Sequence, residues 1–254
     1  VVVCDHVTKK ADLSALLEVL PKKAHHLADF QDESCTDIQF VQCHFDDPLY
    51  IMYSSGTTGV PKCIVHGIGG TLLQHNKEHF LHTNLTNDDV LFYYTTCGWM
   101  MWNWLVSGLS MGCAVLLYDG SPFKTPSILI DLAEREKVSI FGTSAKYIAA
   151  LEKAAVVPIK THDLSALNTI LSTGSPLSQE SYHYVYEQVK EDVLLASISG
   201  GTDIISCFAL GCPILPVYPG QLQCRGLGMA VDIFDDDGQS IKESKGELVC
   251  SEPF

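Results

Sequence analysis

Between Ser54 and Lys62 the chain reads Ser54-Ser55-Gly56-Thr57-Thr58-Gly59-Val60-Pro61-Lys62. Four hydroxyls, two glycines and a lysine within nine residues suit the binding of a polyphosphate. Glycine lets the backbone turn tightly enough for several amide N–H groups to point at one anion. The hydroxyls add donors, and Lys62 adds positive charge. The spacing differs from a Walker A loop, where the lysine directly follows the second glycine and is itself followed by Ser or Thr. Here Val60 and Pro61 intervene, and Cys63 follows. A solvated Ser/Thr/Gly turn is the plainer alternative for such a run.

Other residues capable of chemistry carry less. His75, His79 and His82 stand at i, i+4 and i+7, a spacing that can hold a metal on one helix face. No carboxylate or cysteine completes an obvious set, so a partly exposed face is expected. His66, four residues past Lys62, could lie near a substrate pocket, whereas His25-His26 sits in a polar segment and indicates nothing. The ten cysteines form no Cys-x-x-Cys pair and mostly have apolar neighbours, so buried free thiols in a reducing cytosol are expected. A serine hydrolase is unsupported, because no Gly-x-Ser-x-Gly elbow occurs.

These residues need a scaffold. The apolar strand Leu49–Tyr53 leads into the hydroxyl-rich run. From Val90 to Tyr118 no formally charged residue occurs, a length that could cross a bilayer. Glycines at 98, 108 and 112 and the acidic flanks instead indicate a strand (90–94), a helix (about 99–110) and a strand (114–118). A helix is then expected from Thr125-Pro126 to about Lys137, strands at 138–141, 167–171 and 193–198, and helices at 144–154 and 178–190, the last with Glu180 near its cap. Short β runs alternating with helices indicate an α/β fold, a layered parallel sheet flanked by helices, with ligands at the carboxyl ends of its strands. Near Pro213 the prolines and glycines multiply, and two strands, 230–234 and 247–250, flank the turn Asp235-Asp236-Asp237-Gly238. The expected organisation is one large domain over residues 1–212 and the start of a smaller β subdomain over 213–254. With Val1-Val2-Val3 and Gly246-Glu247-Leu248-Val249-Cys250 at its ends, the chain reads as an internal piece of something longer.

The run Tyr53–Lys62 resembles the phosphate loop of the adenylate-forming superfamily, which includes acyl-CoA synthetases, luciferases and peptide-synthetase adenylation domains. Three further segments resemble superfamily motifs in the expected order. Thr173-Gly174-Ser175-Pro176 is similar to the adenine-site turn, Ser199-Gly200-Gly201-Thr202-Asp203 to the aromatic-Gly-x-Thr-Glu motif, and Gly246-Glu247-Leu248 to a later strand. Phe92 to Ser121, with Gly98-Trp99-Met100-Met101-Trp102-Asn103-Trp104, is similar to the branch that activates acetoacetate.

The resemblance implies a two-step acid–thiol ligase: acetoacetate attacks the α-phosphate of ATP, pyrophosphate leaves, and coenzyme A displaces AMP. Both reactants of the first step are anions, so cationic and hydrogen-bonding groups must offset their repulsion. It implies that Ser54, Ser55, Gly56, Thr57, Thr58, Gly59 and Lys62 hold the β- and γ-phosphates. Gly174, Ser175 and Pro176 would meet adenine, Thr202 would donate to the α-phosphate, and Asp203 would ligate Mg²⁺. Lys62, Thr202 and Asp203 are the expected catalytic residues. Trp99, Gly200 and Gly201 are the expected acyl pocket, with Trp102 in the same region. Where acetate-activating relatives carry Trp, Gly200 would leave room for a four-carbon keto acid.

Two positions depart from the pattern: Asp203 is one methylene shorter than the usual Glu, and Ser199 replaces an aromatic. The resemblance also implies that the superfamily's carboxy-terminal domain, with its adenylation lysine, lies outside this chain. Another nucleotide enzyme such as a kinase or P-loop ATPase, another short-chain acid, and a catalytically silent nucleotide-binding module stay open. Composition bounds the partners. Net charge is 16 − 30 = −14, with no basic block, which argues against nucleic acid. Small molecules, a cytosolic location and no membrane span are expected.

Overall fold

The computed structural model describes residues 1–4, 10–20, 24–54 and 59–254. The chain divides into two compact units, Val1–Cys43 and His44–Phe254. In the first, β1 (Val2–Val3) pairs in parallel with β2 (His25–His26), and two short helices, α1 (Ser14–Val19) and α2 (Leu27–Phe30), complete the regular structure.

The second unit opens with an antiparallel hairpin, β3 (Pro48–Ser54) against β4 (Lys62–Gly67), closed by the pair Ser54 and Lys62. A strand stands between the hydroxyl-rich run and the helix that carries the histidines. Ile64 and Val65 are β-branched and favour a pleated strand, and only beyond Gly67 does α3 (Ile68–Lys77) begin. It continues as a single π turn, Glu78–His82.

Strands and helices then alternate: β5 (Val90–Tyr93), α4 (Met100–Ser107), β6 (Ala114–Leu116), α5 (Ile128–Arg135), β7 (Ile140–Ser144), α6 (Ala145–Lys153), α7 (Pro158–Thr161), β8 (Thr169–Thr173), α8 (Gln179–Tyr184, extended by a π turn) and β9 (Leu194–Ser197). The five strands form one wholly parallel sheet in the order β6-β5-β7-β8-β9. Alternate residues go to opposite faces. Phe92, Phe141, Ile170 and Leu195 enter one core with α5, α6 and α8. Leu91, Tyr93, Ile140, Leu171 and Ala196 enter another with α4. Burial on both faces is what a parallel sheet requires, and each fully buried Leu or Ile adds about 1.5–3 kcal/mol.

The layered α/β expectation is met, with shifted boundaries. Helix α5 starts at Ile128, with Ser127 rather than Thr125 at its cap position. Val138 belongs to the end of that helix rather than to a strand. Lys137 turns left-handed (φ 51°), and the Val138 amide bonds back to Ala133 O at 2.9 Å, which caps the helix. The cap expected at the start of α8 is present, Ser178 accepting from Ser181 N, and α6 is capped in the same way, Ser144 accepting from Tyr147 N. The uncharged stretch 90–118 is strand, helix and strand, and among the described residues no helix is long and apolar enough to cross a membrane.

After β9 the chain reverses. β10 (Ser199–Gly201), β11 (Ser206–Leu210) and β12 (Cys224–Arg225) form an antiparallel sheet. β13 (Val231–Phe234) and β14 (Glu247–Cys250) form a closing hairpin.

Candidate active site

The parallel strands end on one side, and their following turns line a cleft of about 570 Å³. Trp99 comes from beyond β5, Thr173-Gly174-Ser175-Pro176 from the end of β8 and the turn after it, and Ser199-Gly200-Gly201-Thr202 from beyond β9. Such a cleft at the carboxyl ends of parallel strands is where an open α/β sheet binds small molecules. The chain folds this way locally for identifiable reasons. Gly174 has φ +88°, a conformation that costs other residues a Cβ clash. Thr173 Oγ1 donates to Ile198 O at 3.1 Å and ties the β8 turn to the end of β9. Trp99 precedes α4 and packs edge-on against Tyr93, with ring centroids 6.1 Å apart.

A second cavity, about 660 Å³, adjoins the first: both are bordered by Trp99, Met100 and Thr202, and the second adds Ser54 and Asp203. Lys62 borders neither cavity but begins β4 opposite Ser54, which does. Gly59 has φ +97° with open space around it, as a tight turn requires. Ser55, Gly56, Thr57 and Thr58 lie outside the described residues. Of the predicted pocket residues, Trp99, Gly200 and Gly201 line the cleft, whereas Trp102 packs into the core beneath it.

Gly200 has a second reason to be glycine. A Cβ there would stand 2.2 Å from Ser206 O and 3.0 Å from Cys207 Cα, both backbone atoms. Strands β10 and β11 approach too closely for any side chain at that position, and their register slips between Ser199 and Gly200. Space in the cleft is thus coupled to the closeness of two strands.

The turn carrying Thr202 and Asp203 is strained and tightly held. Ile205, a β-branched residue, sits at φ +46°; such backbone costs about 1–3 kcal/mol and persists only where its surroundings enforce it. The Thr202 carbonyl accepts from His66 Nε2 at 2.8 Å and from Ile205 N at 3.3 Å. His66 therefore secures this turn from β4. The Ile205 carbonyl accepts from His75 Nε2 at 2.8 Å.

The histidine face is buried, not partly exposed as expected: His75 and His79 are 0% accessible and His82 3%. Glu78, on the same face at i+3 from His75, is 0% accessible as well. The helix is inverted relative to the usual pattern, since Leu73 and Phe80 face outward. Each ring donates to a backbone carbonyl: His75 to Ile205, His79 to Trp104 at 3.0 Å and His82 to Gly211 at 2.8 Å. His82 Nε2 also accepts from Leu227 N, which fixes it as the neutral Nδ1–H form. Burial depresses all three, His79 to about 3. They are structural pins. The position of Glu78 on that face was the available signal, since a carboxylate inside a histidine stripe cannot be left without donors. Among the described residues no group of three or more His, Cys, Asp or Glu could hold a metal.

The thiols also differ from expectation. All ten are free, but Cys4, Cys35, Cys43, Cys63 and Cys97 are exposed, and only Cys113 and Cys207 are buried. Cys207 borders the cleft, and burial pushes its thiol well above the usual range.

Comparison with known proteins places this architecture. A model of the AMP-binding enzymes matches residues 2–254. An acetoacetyl-coenzyme A synthetase of Rhizobium meliloti (strain 1021) is 53% identical over all 254 residues, which span 39% of its length. The solved acetoacetyl-CoA synthetase from Streptomyces lividans superposes with a TM-score of 0.88 at 40% identity, covering 99% of this chain and 38% of that one. A more distant relative, the malonamoyl-CoA synthetase vrtB of Penicillium aethiopicum, is 43% identical over 229 residues, 84% of this chain and 32% of its own.

Proposed function

Because the chain belongs to the AMP-binding enzyme family, we propose that it is the ATP- and acyl-recognising part of an acid–thiol ligase. The reaction joins acetoacetate to coenzyme A at the expense of ATP, with AMP and pyrophosphate as products. The observation that carries this reading is the convergence of Trp99, Gly174 and Thr202 on one cleft, in a chain that matches an acetoacetyl-coenzyme A synthetase over its whole length.

Each residue has a task set by charge. Lys62 and the hydroxyls and amides of Ser54 to Gly59 hold the β- and γ-phosphates of ATP. Thr202 donates to the α-phosphate as the substrate carboxylate attacks it, and so offsets the charge that develops there. Gly174, Ser175 and Pro176 form the adenine contact, a surface that leaves room for the base at a turn without a large side chain. Trp99 walls the acyl group beside Gly200 and Gly201. Asp203 is a hard oxygen donor next to the phosphate region, and one carboxylate plus substrate phosphates is the usual setting for Mg²⁺. When bound, Mg²⁺ would neutralise phosphate charge. Coenzyme A then displaces AMP, a good leaving group, from the acyl-adenylate. Residues 213–254 are read as the beginning of a smaller β subdomain, and the whole protein as cytosolic.

A second acid has support. Malonamoyl and acetoacetyl groups both carry a carbonyl at C3, and differ by an amino group in place of a methyl. A cleft shaped for one is close to fitting the other.

The test is a chimera in which this chain replaces the matching stretch of the Rhizobium meliloti protein. AMP release is then compared for acetoacetate, malonamate, acetate, propionate and butyrate. Acetoacetate or malonamate should lead; ADP as product, or no preference among the acids, would refute the proposal. Lys62→Ala in that chimera should lower kcat/KM for ATP at least about tenfold, the loss of a charge-assisted phosphate contact worth about 1.5–3 kcal/mol. Equal kcat/KM in the variant would remove Lys62 from the phosphate site.

A further inference from the structure

Behind the cleft wall lies a carboxylate that the proposed chemistry does not use. Glu78 is fully buried in the π turn that ends α3. Its Oε1 accepts from Ser206 Oγ at 2.5 Å, Cys207 N at 3.0 Å and Gln74 Nε2 at 3.2 Å. Its Oε2 accepts from Trp104 Nε1 at 3.0 Å. Each of these four groups is a donor, and none of them is charged. A buried carboxyl group bonded on both oxygens holds these donors in place, because releasing any one leaves a buried polar group without its partner.

Of those donors Cys207 lines the cleft, and Ser206 and Trp104 connect to residues that do. Ser206 and Cys207 are the register partners of Gly201 and Gly200, and they directly follow the strained Ile205. Trp104 packs edge-on against Tyr93, which in turn packs edge-on against Trp99. One side chain thus joins the strand bearing the Thr202–Asp203 turn to the aromatic stack ending in Trp99.

We propose that Glu78 is a positioning residue of the cleft: it fixes β11, and with it the turn that carries Thr202 and Asp203, against the Trp104 indole. The catalytic consequence rests on the reading of the cleft as the ATP and acyl site; the structural part does not. Since the α-phosphate contact matters most as charge develops, displacing this turn lowers kcat more than it raises the KM for ATP.

The geometry supplies its own control. In Glu78→Gln an isosteric amide must turn its NH₂ toward one of the donors. Trp104→Phe removes the indole N–H, so in the double variant the NH₂ can take that side without opposing a donor. Two measurements follow. In the 254-residue chain, amide exchange at Ser206 and Cys207 should quicken about tenfold or more in Glu78→Gln relative to the β7 amides, and should slow again in the double variant. In the chimera, Glu78→Gln should lower kcat for pyrophosphate exchange about tenfold, with ATP KM within about twofold, and the double variant should recover most of the loss. Unchanged exchange at Ser206 and Cys207, or a double variant no better than Glu78→Gln, overturns the positioning role. A wild-type chimera that forms no adenylate overturns the enzyme reading instead, and leaves the amide exchange to decide on Glu78.

Discussion

Gly200 shows how a single residue can serve two demands. Size alone would make it a gap in the proposed acyl wall, and a small side chain there would merely narrow the cleft. The backbone geometry is stricter: the first carbon of any side chain meets Ser206 O at 2.2 Å, and a main-chain carbonyl cannot swing aside. Gly200→Ala should therefore destabilise the fold by about 1–3 kcal/mol, as overpacking against fixed atoms does, measured as a shift in the urea midpoint. A variant with unchanged stability would show that β10 and β11 can part without penalty, and that volume is the whole role of the glycine. Lys62 and Glu78 belong to the same scale. Lys62 is exposed and is proposed to meet an anionic ligand; Glu78 is buried and meets neutral donors.

Helix α3 with its π turn is the element that joins recognition to support. Through β4 it continues from the hydroxyl-rich loop, and its inner face pins the strands beyond β9. That face carries His75, His79 and His82 as neutral rings. In the unfolded chain each would take a proton near pH 6.5, whereas in the folded chain burial depresses all three, His79 to about 3. The unfolded state therefore binds more protons as pH falls below about 6.5, and stability falls with it. The slope is at most about 1.4 kcal/mol per pH unit for each histidine. Urea unfolding at pH 7.5, 6.5 and 5.5 should show the midpoint falling modestly from the first to the second and more steeply to the third. The shifted carboxylates at Asp12, Asp32, Asp163 and Asp232 have depressed values and stay ionised over this range, so they do not supply the effect. A midpoint flat down to pH 5.5 would mean that the three rings are protonated in the fold.

For the molecule as a whole, the relevant fact is length. The chain spans 39% of the Rhizobium meliloti relative, and the residues proposed for ATP and the acyl group include none proposed for coenzyme A. Pyrophosphate exchange measures adenylation alone, and it should be weak or absent for the 254 residues by themselves yet restored in the chimera. Rates equal to the chimera's would mean that adenylation needs nothing beyond this chain.

Sequence by itself determined what depends on local order. The alternation of apolar strands with helices, the caps at Ser144 and Ser178, and the tight Gly174 turn follow from near neighbours in the chain, as does the run from Ser54 to Lys62. Only the tertiary structure decided what depends on distant pairing. A strand and a helix end look alike at Val138 until the left-handed Lys137 closes the helix. The histidine stripe reads as solvated because the carbonyls it meets lie between 25 and 130 residues away in sequence. Glu78 is unremarked for the same reason: its nearest donors come from Trp104, Ser206 and Cys207. Polarity in a sequence marks a surface residue by default, and only the arrival of buried donors from elsewhere in the fold reverses that default.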